Sequence, residues 1–232
     1  RRLRYEGSGF TLFVMVLLES WLIPLTLGLY WPWYCARFMR LVCSLASFPM
    51  HDGKHQVRLR FTGSGAGLFA NSFVGSVLML ITFGLYAPWF VARSLRYSID
   101  NVIGETGDGQ TVRFKFTGTG VDILETILVG TLLSIFTLNL YAPFFACRFF
   151  RDIVRLTKVA TPSGRIHTLD FVGGGLSYFF LSVFGQILSF VTLGLYVPFF
   201  LHSYYAFIAR NVLLPAELVH GDRPPARAPV LE

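Results

Sequence analysis

Apolar and basic residues alternate in Val57-Arg58-Leu59-Arg60-Phe61 and in Val112-Arg113-Phe114-Lys115-Phe116, the two-residue period of a half-exposed strand. Turn signals stand before these runs and before a later one, at Asp52-Gly53, Asp108-Gly109 and Ser163-Gly164, so each strand is predicted to be the second arm of a hairpin. A glycine pair follows each strand, and then the pattern loses its charges. No charged residue lies between Arg60 and Arg93, between Glu125 and Arg148, or between Asp170 and Arg210, and only Glu19 interrupts the run from Glu6 to Arg37. These runs predict apolar helices. Asp122-Ile123-Leu124-Glu125 has the spacing of a capping box, with Thr11 and Ser177 at the equivalent place, and it marks where such a helix begins. Each run ends at a Thr-x-x-x-Tyr-x-Pro segment, whose proline suits the first turn of a second helix. That helix carries Arg37 and Arg40, Arg93 and Arg96, or Arg148 and Arg151.

The pattern is a fourfold internal repeat. Thr26-Leu-Gly-Leu-Tyr30-Trp-Pro32-Trp33 recurs from Thr82, Thr137 and Thr192, a period of about 55 residues. An upstream marker keeps the same register, as Tyr5 with Gly7 and Gly9, Phe61 with Gly63 and Gly65, Phe116 with Gly118 and Gly120, and Phe171 with Gly173 and Gly175. The units are residues 1–50, 51–103, 104–158 and 159–214, followed by a polar, proline-rich stretch, 215–232, expected to be a disordered tail. The chain opens at Arg1 without a methionine, so a preceding segment is expected.

Composition turns this pattern toward a bilayer. Of 232 residues, 53% are apolar and only 14% charged, against about 25% charged in an ordinary soluble domain. The expected fold class is therefore a mainly α-helical, multi-pass membrane protein of four tandem repeats, with short β-hairpins forming a small sheet on one side. Two topologies are open: single crossings that alternate the side of each strand, or helical hairpins that keep all strands together. The hairpin is favoured, because an isolated two-stranded ribbon is marginal whereas several ribbons make one sheet. Lys54, Arg58, Arg60, Arg113, Lys115, Lys158 and Arg165 near the strands place that side, and the termini, in the cytoplasm. Glu105 and Asp108 offset part of this charge in the second connector. Re-entrant hairpins that stop within the bilayer are the third possibility.

In its repeated Thr-Leu-Gly-Leu-Tyr-x-Pro-Trp segment, with the aromatic-x-Gly before it and Arg-x-x-Arg after it, the chain resembles the YjgN family of bacterial inner-membrane proteins over nearly all of residues 3–214. The resemblance implies a multi-pass protein of the bacterial inner membrane and no particular activity. Two departures stand out: Asn139 replaces the motif glycine, and Ser203 and Ala206 occupy the two arginine positions of the fourth repeat.

Candidate chemistry is sparse. The net charge is +7, but the arginines punctuate apolar segments instead of forming one basic face, so no nucleic-acid partner is expected. Cys35, Cys43 and Cys147 have neither CxxC spacing nor clustered histidines, and no metal, cofactor or disulfide framework is expected. The glycine pairs complete no GxGxxG and lack a Walker lysine, and read as tight turns of positive φ. Gly75, Gly130 and Gly185 share one repeat position and read as helix-packing sites, where the first repeat carries Glu19. An intramembrane carboxylate requires a partner, and folding the unit at Tyr30 brings Arg40 within a turn of it, an expected ion pair Glu19–Arg40. Glu125 reads as a cap.

Arg37, Arg40, Arg93, Arg96, Arg148 and Arg151 together form the candidate site for an anionic lipid or solute, lining an interior between repeats. For each singly, pairing along the helix, Arg96 with Asp100 or Arg148 with Asp152, is the plainer role. Ser203 and Ala206 mark a neutral lateral opening. No enzyme is expected, because no nucleophile-base order or paired carboxylates occur. The functional expectation is thus binding or passage of an anionic lipid or solute; the alternative is a scaffold subunit of a larger membrane complex, with membrane phospholipids and such subunits as partners.

Overall fold

The structure, a computed structural model, describes residues 4–5, 13–14, 19, 21–49, 56–106, 109, 111–160 and 166–214. The elements are β1 (Arg4–Tyr5), α1 (Leu22–Leu25), α2 (Trp31–Ser44), β2 (Ala46–Pro49), β3 (Gln56–Phe61), α3 (Gly65–Ile81), α4 (Ala87–Asp100), β4 (Val102–Glu105) and β5 (Thr111–Phe116). They continue with α5 (Gly120–Phe136), α6 (Ala142–Leu156), β6 (Thr157–Ala160), β7 (Ile166–Thr168), β8 (Asp170–Phe171), α7 (Gly175–Val191), α8 (Val197–Asn211) and β9 (Val212–Leu213).

The strands form an antiparallel meander, β1 to β7 in chain order, and a further pair β8–β9; β7 and β8 are separated by Leu169 alone. Within each repeat the strand entering the helices pairs with the strand leaving them, in one register throughout: Tyr5↔Ala46, Phe61↔Val102, Phe116↔Thr157 and Phe171↔Val212. Because neighbours are antiparallel, the helical hairpins all leave from one end of the strands and the strand-to-strand turns from the other end.

Alternation decides the core. Val57, Phe61, Val112 and Phe116 are buried, whereas Arg58, Arg60, Arg113 and Lys115 are exposed on the other face. Phe48 on β2 shares one apolar cluster with Val112, Val159 and Val212, so the strands curl until β2 and β9 contribute to the same interior. The second helix of each repeat packs on the first helix of the next. Trp33 meets Phe69 at 5.6 Å and Phe144 meets Phe179 at 5.7 Å; Phe199 meets Phe13 at 6.1 Å. The last contact uses the same repeat positions as the first two, so the fourth repeat closes on the first and the four hairpins make a ring.

This architecture overturns the expectation of a multi-pass, mainly helical membrane protein. Among the described residues no helix is long and apolar enough to cross a membrane. Each charge-free run is broken by its Thr-x-x-x-Tyr segment, and the longest helix among the described residues has 17 residues, or about 25 Å at 1.5 Å per residue against a hydrocarbon core of about 30 Å. The sheet is also larger than expected, since successive ribbons join into one curled layer that holds the main core.

The helix starts differ from expectation as well. The capping box of α5 is Thr119 with Asp122, not Asp122 with Glu125: Asp122 accepts from the Thr119 backbone N–H at 2.6 Å and from its hydroxyl at 2.7 Å. These bonds hold the Asp122 carboxyl below its usual pKa. Ser177 lies inside α7, which is capped at Gly174, and Thr11 lies outside the described residues. The glycine pairs owe their identity to sterics instead of positive φ. A Cβ on Gly65 would meet Trp33 at 2.5 Å, one on Gly120 would meet Trp89 at 2.6 Å, and one on Gly175 would meet Phe144 at 2.8 Å. The first glycines of the pairs, Gly63, Gly118 and Gly173, lie under the rings of Phe61, Phe116 and Phe171. Gly7 and Gly9 lie outside the described residues.

Candidate functional site

The most unusual surface is at the four hairpin tips. Leu27, Phe83, Leu138 and Leu193 occupy the same repeat position, each with φ of 49° or 50°, and they are 94%, 97%, 88% and 95% exposed. A large side chain in the left-handed region costs roughly 1–2 kcal/mol, and exposing it to water forgoes its burial. The next residue, Gly28, Gly84, Asn139 or Gly194, also has positive φ, which explains Asn139: asparagine is the non-glycine residue best suited to that conformation. Trp21, Leu25, Leu80, Ile81, Phe136 and Phe190 extend the exposed apolar surface around the tips, well beyond scattered single residues.

The tips bind their own backbone. In the first repeat every N–H from Leu25 to Tyr34 is donated within the hairpin, Pro32 having none: Gly28 to Ile23 O at 2.8 Å, Leu29 to Thr26 O at 3.0 Å, Trp31 to Gly28 O at 3.1 Å, and so on. Thr26 completes the set. Its hydroxyl donates to Leu22 O at 2.7 Å and accepts the Tyr30 N–H at 3.1 Å, and Thr82, Thr137 and Thr192 repeat both bonds. A turn that satisfies its own N–H groups does not depend on water. The repeated threonine and tyrosine of the motif are thereby accounted for.

The arginines do not gather on a shared interior; all six are exposed. Arg40 donates to the Gly63 carbonyl at 3.0 Å and Arg96 to the Gly118 carbonyl at 2.9 Å, each tying one repeat to the glycine turn of the next. Arg37 pairs with Glu19 and Arg148 with Glu125, both at 3.0 Å. The expected Glu19–Arg40 pair is therefore replaced by Glu19–Arg37, because Arg40 is drawn to the following repeat. The hydrogen bond and charge of Glu19 raise the Arg37 pKa further, and Glu19 Oε2 is buried with no hydrogen-bond partner among the described residues. Glu125 is an ion-pair partner, not a cap. The helical pairs Arg96–Asp100 and Arg148–Asp152 give way to other bonds: Asp100 accepts from the Phe116 N–H at 2.8 Å and Asp152 from the Thr126 hydroxyl at 2.5 Å.

In the first three repeats the first arginine follows the left-handed tip residue by ten positions, as Leu27/Arg37, Phe83/Arg93 and Leu138/Arg148. At helical rise that is about 15 Å, half of a hydrocarbon core about 30 Å thick. Gly75, Gly130 and Gly185 do pack against rings, those of Phe90, Phe145 and Phe200. The cysteines are free, and burial pushes the Cys43 thiol up to about 11. Sequence reasoning missed the left-handed tip residue, although its signal, an apolar residue before a repeated Gly or Asn, was present.

No protein-family model matches the chain, and no solved structure matches it. It is similar to the inner membrane protein YjgN of Salmonella typhimurium, at 34% identity over 86 residues, covering 37% of this chain and 20% of that protein. The aligned part is thus about a fifth of the relative's length, and the motif resemblance has a counterpart in measured similarity to an inner-membrane protein.

Proposed function

We propose that this chain is a non-enzymatic protein of the bacterial inner membrane that inserts its four hairpin tips into one leaflet and holds anionic lipid headgroups with its arginines. The observation that carries the reading is the left-handed, almost fully exposed Leu or Phe at every tip. Such a position is costly in water and favourable in hydrocarbon, where each side chain contributes about 1.5–3 kcal/mol. The self-satisfied tip backbone and the spacing from tip to arginine support the same placement, because Arg37, Arg93 and Arg148 come to phosphate depth when the tips reach mid-bilayer. The exposed basic face of the sheet, with Arg58, Arg60, Arg113 and Lys115, then lies on the cytoplasmic side. The similarity to an inner membrane protein agrees.

The test is flotation with vesicles of phosphatidylglycerol and phosphatidylethanolamine. Leu27→Asn, Phe83→Asn, Leu138→Asn and Leu193→Asn, combined, relieve backbone strain and remove the apolar tips. The melting temperature is expected to hold or rise while flotation is lost. Undiminished flotation would refute insertion, and wild-type protein that ignores vesicles would favour the scaffold reading.

A further inference from the structure

We infer that a cavity between the first, second and fourth hairpins is a binding site for one long acyl chain. It encloses about 570 Å³ and is lined by Ile23 and Trp31 at the first tip, by Cys35 and Leu68, and by Leu201 and Tyr205 of α8. That volume falls in the range of about 300–1,000 Å³ typical of small-molecule sites. Among the described residues none that lines it is charged, so a headgroup or inorganic anion finds no counter-charge there, whereas a methylene chain meets aliphatic and aromatic walls. Ser72 and Ser98, from α3 and α4, supply hydroxyls for a single ester or carboxyl end.

The junction beside this cavity is built differently from the first two. Arg40 and Arg96 each tie their repeat to the next through a glycine carbonyl, but the fourth repeat has Ala206 at that position and Ser203 at the other arginine position. Here the Phe13–Phe199 contact at 6.1 Å, which has counterparts at other junctions, is joined by Phe38 against Tyr205 at 5.6 Å. Phe38 and Tyr205 also line the cavity. A chain enters here from the side, past the Phe38 and Tyr205 rings. The route of entry rests on the membrane reading, since Ile23 and Trp31 belong to a tip placed in hydrocarbon; the site itself rests on the cavity.

The test is titration of the purified full chain with a dansyl-labelled undecanoic acid. A single saturable site with blue-shifted emission is expected. Ser72→Trp and Leu201→Trp, on different helices, each fill the cavity and should weaken binding by roughly tenfold or more, with melting and vesicle flotation unchanged. Displacement by oleate alone assigns a free fatty acid; displacement also by detergent-dispersed phosphatidylglycerol assigns a lipid tail; both uphold the acyl-chain site. Equal probe binding in wild type and both variants, or no displacement by either lipid, overturns it. Retained probe binding without flotation would remove the membrane reading and leave the cavity site standing.

Discussion

The Thr82 hydroxyl accepts the backbone N–H of Tyr86 at 3.1 Å while donating to the Leu78 carbonyl at 2.8 Å, and so bridges the end of one helix to the start of the next. Thr82→Val keeps the shape and strands the Tyr86 N–H, which should cost about 1–3 kcal/mol. Thr82→Ser should recover most of that loss. Chemical denaturation of the three proteins checks this; equal midpoints for Val and Ser would show that the bridge does not hold the tip.

Glu19 and Arg37 make a second relationship peculiar to one repeat. Arg37 is more than half exposed and Glu19 mostly buried, so the pair's own worth is modest, about 1 kcal/mol or less. Removing the arginine leaves the carboxylate without its donor. Arg37→Ala should therefore lower the melting temperature more than Arg93→Ala, and Glu19→Gly, which restores the residue of the other repeats, should abolish the difference. Equal shifts in the presence and absence of Glu19 would remove the pair from the account.

The glycines separate into two physical kinds. A Cβ on Gly75 runs into the Phe90 ring, whereas one on Gly84 meets nothing within 4 Å but sits at a φ of +87°. Gly75→Ala should cost about 1–3 kcal/mol through overpacking and be partly rescued by Phe90→Leu. Gly84→Ala should be insensitive to that second change, and Gly84→Asn should be tolerated, as Asn139 is in the third repeat. Thermal melts of the double variants decide between the two mechanisms.

Much of this was legible because the repeat was. Four copies of a threonine, a tyrosine and a proline in register located every tip, and the alternation at Val57–Phe61 and Val112–Phe116 located the strands and their buried face. The failures have a common cause. A charge-free run of twenty or more residues looks the same whether it crosses a bilayer or folds back, and the left-handed residue that folds it back carries an apolar side chain that hides it in the composition. The arginines were misread as one set because linear spacing does not reveal that Arg40 and Arg96 bond to the next repeat while Arg37 and Arg148 bond within their own.

One-sided placement of the turns follows from the meander. Single cysteines at Gly53, Gly109 and Ser163, in a background lacking Cys35, Cys43 and Cys147, should all be protected from an impermeant thiol reagent in intact cells and labelled after lysis. Labelling at Gly109 alone would contradict one-sided placement of the turns. Of these positions, 53 and 163 lie outside the described residues.

The central claim is that four tips enter one leaflet. Nitroxide labels at positions 27, 83, 138 and 193, one per protein in the same cysteine-free background, report depth in phosphatidylglycerol vesicles through their collision with oxygen and with a water-soluble nickel complex. The account predicts all four within the hydrocarbon at a common depth of about 15 Å below the phosphates, with a label at position 109 in water on the side from which the protein was added. A tip label exposed to the nickel complex, or one accessible from the opposite face of the vesicle, would contradict it.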